Sequence, residues 1–171
     1  MNYSIFEILD GTEKAKGKED KITFLCKHKD NVALKVYLTW GLDPRVQWNL
    51  PEGSPPYRES VTPPGMGDTN LYFELRRLSG LIKGNPNELK VKALAIESLF
   101  IGILEGLEKG EAKVLLAVKN KTLSDLFPSV TIPLVNEAFP DIKLPEPKNE
   151  EIEPKKETLT LHRKEKHGIK E

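Results

Sequence analysis

Through most of residues 1–140, apolar positions recur at three- and four-residue spacing, the period of helices with one buried face. Ile5, Phe6, Ile8 and Leu9 predict a short first helix that Gly11 can end. Ile22, Leu25 and Cys26 share a face of a second, after a Lys-rich stretch over 14–21. A third begins near Asp30-Asn31, with Asp30 as N-cap, and carries Leu34, Tyr37, Leu38 and Trp40. Asp68 can cap a fourth that bears Leu71, Tyr72, Leu75 and Leu78. The longest pattern covers 87–107, with Leu89, Ala93, Ile96, Phe100, Ile103 and Leu107 at helical spacing. Residues 110–119 supply another through Val114, Leu115 and Val118, and 132–138 a last short one with Pro133 in its first turn. Only 158–161 alternates with the two-residue period of a strand. The expected class is all-α, with six to eight short helices and no internal repeat.

Two segments fall outside this pattern. Residues 43–67 hold six prolines and three glycines, too many for a helix or a central strand, and so predict a long loop. Trp48, Leu50 and Tyr57 predict that parts of it lie against the core. Near Pro140 the composition changes. Residues 141–171 contain eight acidic and eight basic residues, only six aliphatic ones and no aromatic, too little apolar surface to offset the entropy of ordering. The chain therefore reads as a helical domain over 1–142 and a flexible, disordered charged tail over 143–171.

Charge and composition narrow the function classes. With 26 Lys+Arg against 26 Asp+Glu, the 171-residue chain is formally neutral, which excludes affinity resting on bulk positive charge. The single cysteine, Cys26, excludes an internal disulfide framework and fits a reducing compartment. No apolar run reaches the length of a membrane helix, since 99–107 is broken by Gly102, Glu105 and Gly106. The opening Met1-Asn2-Tyr3-Ser4 lacks the layout of a signal peptide, so the expectation is a cytoplasmic protein without membrane partners.

Catalytic motifs are missing. Cys26 and His28 have no second pair at ligand spacing, and His162 and His167 lie in the tail, so no metal is expected. Neither a Gly-x-Ser-x-Gly elbow nor a phosphate-binding glycine loop occurs, and Gly65-Met66-Gly67 reads as a turn. The carboxylates are scattered among lysines. The expectation is a non-enzyme with no cofactor and no small-molecule substrate. The charges are nonetheless unevenly placed, for 76–121 holds nine bases and five acids. A segregated basic face can contact several phosphates despite zero net charge; the plain alternative is a mixed, solvated surface.

Taken in order, these features resemble the all-α amino-terminal DNA-binding domain of ATP-dependent DNA ligases from tailed phages. The opening Ile5-Phe6-Glu7-Ile8-Leu9 is similar to its first helix, and 18–38, with the turn Lys29-Asp30-Asn31, to the paired helices that follow. Arg77-Leu78-Ser79-Gly80 and Gly84-Asn85 are similar to its middle helix and the next turn. Leu115-Leu116-Ala117-Val118, leading to Ile132-Pro133-Leu134-Val135-Asn136-Glu137-Ala138-Phe139-Pro140, is similar to its closing segment. The chain also resembles a family of small tailed-phage proteins that share this ending. It departs from the ligases in having no Lys-x-Asp-Gly nucleophile, which excludes adenylation and nick sealing. It departs again at Phe127-Pro128, where the ligase module has a glycine turn against the DNA backbone, and in the loop 43–67.

The resemblance implies a stand-alone, sequence-tolerant binder of double-stranded DNA. Lys119, Lys121, Ser129 and Thr131 would face phosphates at a helix N-terminus, and Arg45, Lys109 and Lys113 would extend the surface. For Lys119 and Lys121 the alternative is a solvated helix end. Asn136 is expected to satisfy backbone groups, and Trp40, Trp48 and Phe139 to lie in the core. The competing function is a protein-interaction module of a phage replication, transcription or virion assembly, with phage or host proteins as partners and no DNA contact. The two are separated by whether the basic side chains lie free on one face or are paired within the fold.

Overall fold

The computed structural model describes residues 3–146. Among them are eight helices and no strand: α1 (Ile5–Lys14), α2 (Gly17–Cys26), α3 (Val32–Leu42), α4 (Leu71–Ser79), α5 (Ala93–Gly106), α6 (Lys109–Asn120), α7 (Leu123–Leu126) and α8 (Ile132–Ala138). The all-α class is as the periodicity predicts. No helix of the described residues is long and apolar enough to cross a membrane.

The starts of α1, α3, α4 and α8 are each set by a side-chain cap. Ser4 Oγ accepts the Glu7 N–H while the Ser4 N–H donates to the Glu7 carboxylate, a complete capping box for α1. α1 does not stop at Gly11 as its sequence suggested. Gly11 is interior, and a Cβ there would meet Cζ of Phe24 at 2.5 Å, so the glycine serves the close approach of α2. Asn31 caps α3 and Asn70 caps α4, in each case by accepting the N–H three residues on; the expected Asp30 and Asp68 lie just upstream. α5 begins at Ala93, six residues later than the periodicity implied. Pro86 disfavours helical dihedrals at Asn85, and the Glu88 carboxylate accepts the Gly84 N–H and the Asn49 side-chain amide, so 80–92 folds as turns. Those donors, with Lys90, hold Glu88 down to about 2.

α6 is the hub, packed against α1, α3, α5 and α7, while α2 packs on α1 and α8. Leu34, Leu38, Phe100, Ile103, Val114, Leu115 and Val118 are fully buried around it. Trp40, Trp48 and Phe100 form an aromatic run, edge-on and then tilted, with centroid separations of 5.5 and 6.3 Å, and Phe139 is buried; core positions were expected of Trp40, Trp48 and Phe139. Burial of such residues at about 25 cal/mol per Å² of apolar surface is the main source of stability. Trp48 carries the loop into this core through an antiparallel bridge to Ile82. Asn136 donates to the Leu144 carbonyl and accepts the Leu144 N–H, the backbone role its sequence position suggested. The tail beyond 146, with the strand-like 158–161, lies outside the described residues.

Candidate functional site

Six of the seven residues expected to face phosphates have partners within the fold. Arg45 forks onto Asp43, Nε to Oδ1 at 3.0 Å and Nη2 to Oδ2 at 2.9 Å, and this pairing holds the Asp43 carboxyl below its usual range. Lys109 pairs with Glu59 at 3.0 Å. Ser129 donates from both N–H and Oγ to the Glu13 carboxylate, at 2.9 and 3.0 Å, so an internal anion stands where a phosphate was expected. Thr131 caps α8 by accepting the Leu134 N–H. Lys113 is exposed and has no ion pair among the described residues.

Lys119 and Lys121 differ most from their sequence-based roles. Lys119 is buried, and its Nζ donates to the carbonyls of Pro51 and Gly53 and to the Asn120 side chain. Lys121 donates to the carbonyls of Trp40 and Asp43. It does so from a left-handed backbone (φ +58°) at the end of α6, where glycine is the usual residue. Burial pulls both ammonium groups below the normal lysine range. Lys119 is buried, whereas Lys121 is an exposed lysine at the helix end whose ammonium still reaches two carbonyls. Together they satisfy carbonyls of the loop and of the last turn of α3, and unpaired buried carbonyls are costly.

The other half of the loop is held at the opposite end of α6 by groups of opposite sign. The Arg58 N–H donates to Glu105 at 3.0 Å, the Gly65 N–H donates to Glu108, and Glu59 takes Lys109. Residues 43–67 thus form a strap along α6. Lysines bind its carbonyls at the helix C-terminus, and carboxylates bind its amides near the N-terminus. Glu108 at the start of α6 and Lys119 and Lys121 at its end also complement the helix dipole. The strap forms one wall of a groove of about 800 Å³, whose apolar part comes from Phe6, Leu126 and Phe127. Phe6 lies so close over the first turn of α6 that a Cβ at Gly110 would meet it at 2.8 Å. Val61 is 99% exposed on the strap side. Lys109 and Lys113, and Asp10 and Glu59, border the groove with both signs of charge. The fold thus brings Lys109 and Lys113 together here, and Lys119 and Lys121 together at the other end of α6.

A family model matches residues 8–125, which span most of α1 to α7 with the whole strap and all of α6. The chain belongs to the family of unknown function DUF6433. The part of the chain that defines DUF6433 membership therefore contains both sets of strap contacts, while α8 lies beyond it. No curated protein and no solved structure matches the chain.

The groove was not legible in the sequence, because Phe6 is about 120 residues from Leu126 and Phe127 and no local spacing reports that they meet. A signal for the buried charges did exist. Glu111, Leu115 and Val118 lie on one stripe of α6, and Lys119 is four residues from Leu115, so both ionisable groups interrupt an apolar face.

Proposed function

We propose that this DUF6433 chain is a non-catalytic protein-interaction module that binds a partner segment in the groove between α1, the start of α6, α7 and the strap. The observation that carries this reading is the groove itself, an apolar cleft with an exposed valine on its wall and both signs of charge at its edges. Such a layout suits a partner segment with apolar anchors flanked by charges, and complementary charges set its orientation. In this reading the partner belongs to a phage replication, transcription or virion assembly in the host cytoplasm. The duplex-DNA reading needs several free cations on one face, and the internal partners of Arg45, Lys119 and Lys121 count against it.

Two measurements on the full chain test this. Fluorescence anisotropy with nicked and intact duplex DNA at two salt concentrations is expected to show no binding that weakens steeply with salt. A photo-crosslinking residue at Val61 is expected to trap one discrete protein partner in cells of the source, and a Leu126→Asp change to abolish the adduct. Micromolar, salt-sensitive DNA binding that Lys109→Glu with Lys113→Glu cuts, with no adduct at Val61, would overturn the proposal in favour of DNA.

A further inference from the structure

Glu111 takes no part in holding the strap. It is 1% exposed, one of its oxygens accepts the N–H of Leu71, the first residue of α4, at 3.1 Å, and the N–H of Ile5, the first residue of α1, also faces it. Its other oxygen, Oε1, is buried with no hydrogen-bond partner among the described residues. The N-termini of α1, α4 and α6 meet here, and between them lies a cavity of about 310 Å³. Glu7, Glu108 and Glu111 line it together with Tyr72 and Phe73, and Phe73 is 78% exposed.

The balance of charge is negative. Three helix N-termini contribute about half a positive charge each, against three carboxylates. Burial pushes Glu111 up to about 7, and Glu108 and Glu7 add to the effect against the pull of the Leu71 and Ile5 amides. A bare metal ion does not fit, because no three acidic, His or Cys groups of the described residues are placed to share one. The carboxylates are spread around the wall, and an aromatic face stands beside them. A planar cation with several diverging donors matches this layout, and a guanidinium has five donors and stacks on aromatic rings.

We propose that this cavity binds the guanidinium group of an arginine side chain, which donates to Glu111 Oε1 and to Glu7 or Glu108 and stacks on Phe73. That a partner protein supplies the arginine rests on the interaction reading above; the site itself does not. The other source of the same chemistry is this chain's Arg163, in the segment beyond residue 146.

The test is an NMR titration of the full-length, ¹⁵N-labelled chain with N-acetyl-arginine-amide, and in parallel with N-acetyl-norleucine-amide, at pH 8. The arginine compound is expected to shift the amides of Gly65, Gly67, Asn70 and Leu71 saturably, and the norleucine compound to leave them unmoved. Glu111→Gln, which keeps an acceptor for Leu71, is expected to weaken binding about tenfold, as loss of one charge-assisted hydrogen bond does. Phe73→Ala, at an exposed position, is expected to weaken it without altering the fold. No shift at these amides, equal shifts with norleucine, or unchanged affinity in both variants overturns the proposal. Arg163→Gln assigns the source. If the tail fills the cavity, the variant moves these amides and tightens the titration; if a partner fills it, the variant changes neither. The crosslinking at Val61 reports on the groove, since Val61 lines the groove and not this cavity, although Glu7 and Glu108 line both. The interaction reading can therefore fail while the arginine site stands, and the reverse.

Discussion

The two ends of α6 use the same ingredients to different effect. At its C-terminus, Lys119 and Lys121 have every charge-assisted bond directed to a carbonyl or side chain of the fold. At its N-terminus, Glu108 holds the strap, but Glu111 keeps a buried oxygen with no partner beside an open cavity. Ionisable groups whose partners are complete stabilise a fold. One that is buried and incomplete is a place for something else to bind. The comparison shows why the position of a charge in the sequence is a poor guide to its job. The lysines that looked available are occupied, and the glutamate that looked ordinary is the one with capacity left.

The largest expected effect comes from breaking the occupied end. Lys119→Met with Lys121→Met takes the ammonium donors from the carbonyls of Pro51, Gly53 and Trp40, while the Asp43 carbonyl keeps the Val46 N–H, and should cost about 3 kcal/mol, at about 1–3 kcal/mol per buried group left unsatisfied. Urea unfolding measures it, and limited proteolysis should show new cuts within 43–54. A loss under about 1 kcal/mol would mean that the strap holds without them.

The incomplete end should respond to pH in the opposite sense to most acids. Glu111 titrates near 7 when folded, above its ordinary 4.5, so the folded chain holds a proton that the unfolded chain has released. Stability is therefore complete below about pH 4.5, falls as pH rises toward 7, and is level above that. Glu111→Gln removes this fall, and at pH 8 the variant should be more stable than the wild type by up to about 3 kcal/mol. Urea unfolding at pH 5 and pH 8 decides the matter, and an identical pH dependence in the two proteins would refute it. The smallest effect is expected at the exposed pair. Lys109→Ala removes the bond to Glu59 and should change the unfolding free energy by under 1 kcal/mol, as surface ion pairs do.

Much of the fold was legible because it depends on local chemistry. The closing helix was expected over 132–138 and is found there, since Thr131 and Pro133 define its start within one turn. The loop 43–67 was evident from its prolines. Boundaries were missed where a distant group intervenes: Phe24 lies over Gly11 and keeps α1 going, and Asn49 with Gly84 draws Glu88 out of a helix. The site was less legible for the same reason. The bonds of Lys119 span 66 and 68 residues, and no spacing rule within one helix reports such partners. The run of basic residues over 76–121 was real as composition, but which of its members are free is decided largely by groups of the loop, α3 and α4.

The strap also has a consequence for the order in which the chain is made. Residues 43–67 are synthesised well before the lysines at 119 and 121 that receive them. Until the end of α6 has left the ribosome, the carbonyls of Pro51 and Gly53 have only water, and any fragment ending before residue 119 must leave them so. The contacts that hold the strap to the end of α6 therefore form only when nearly the whole domain has been made.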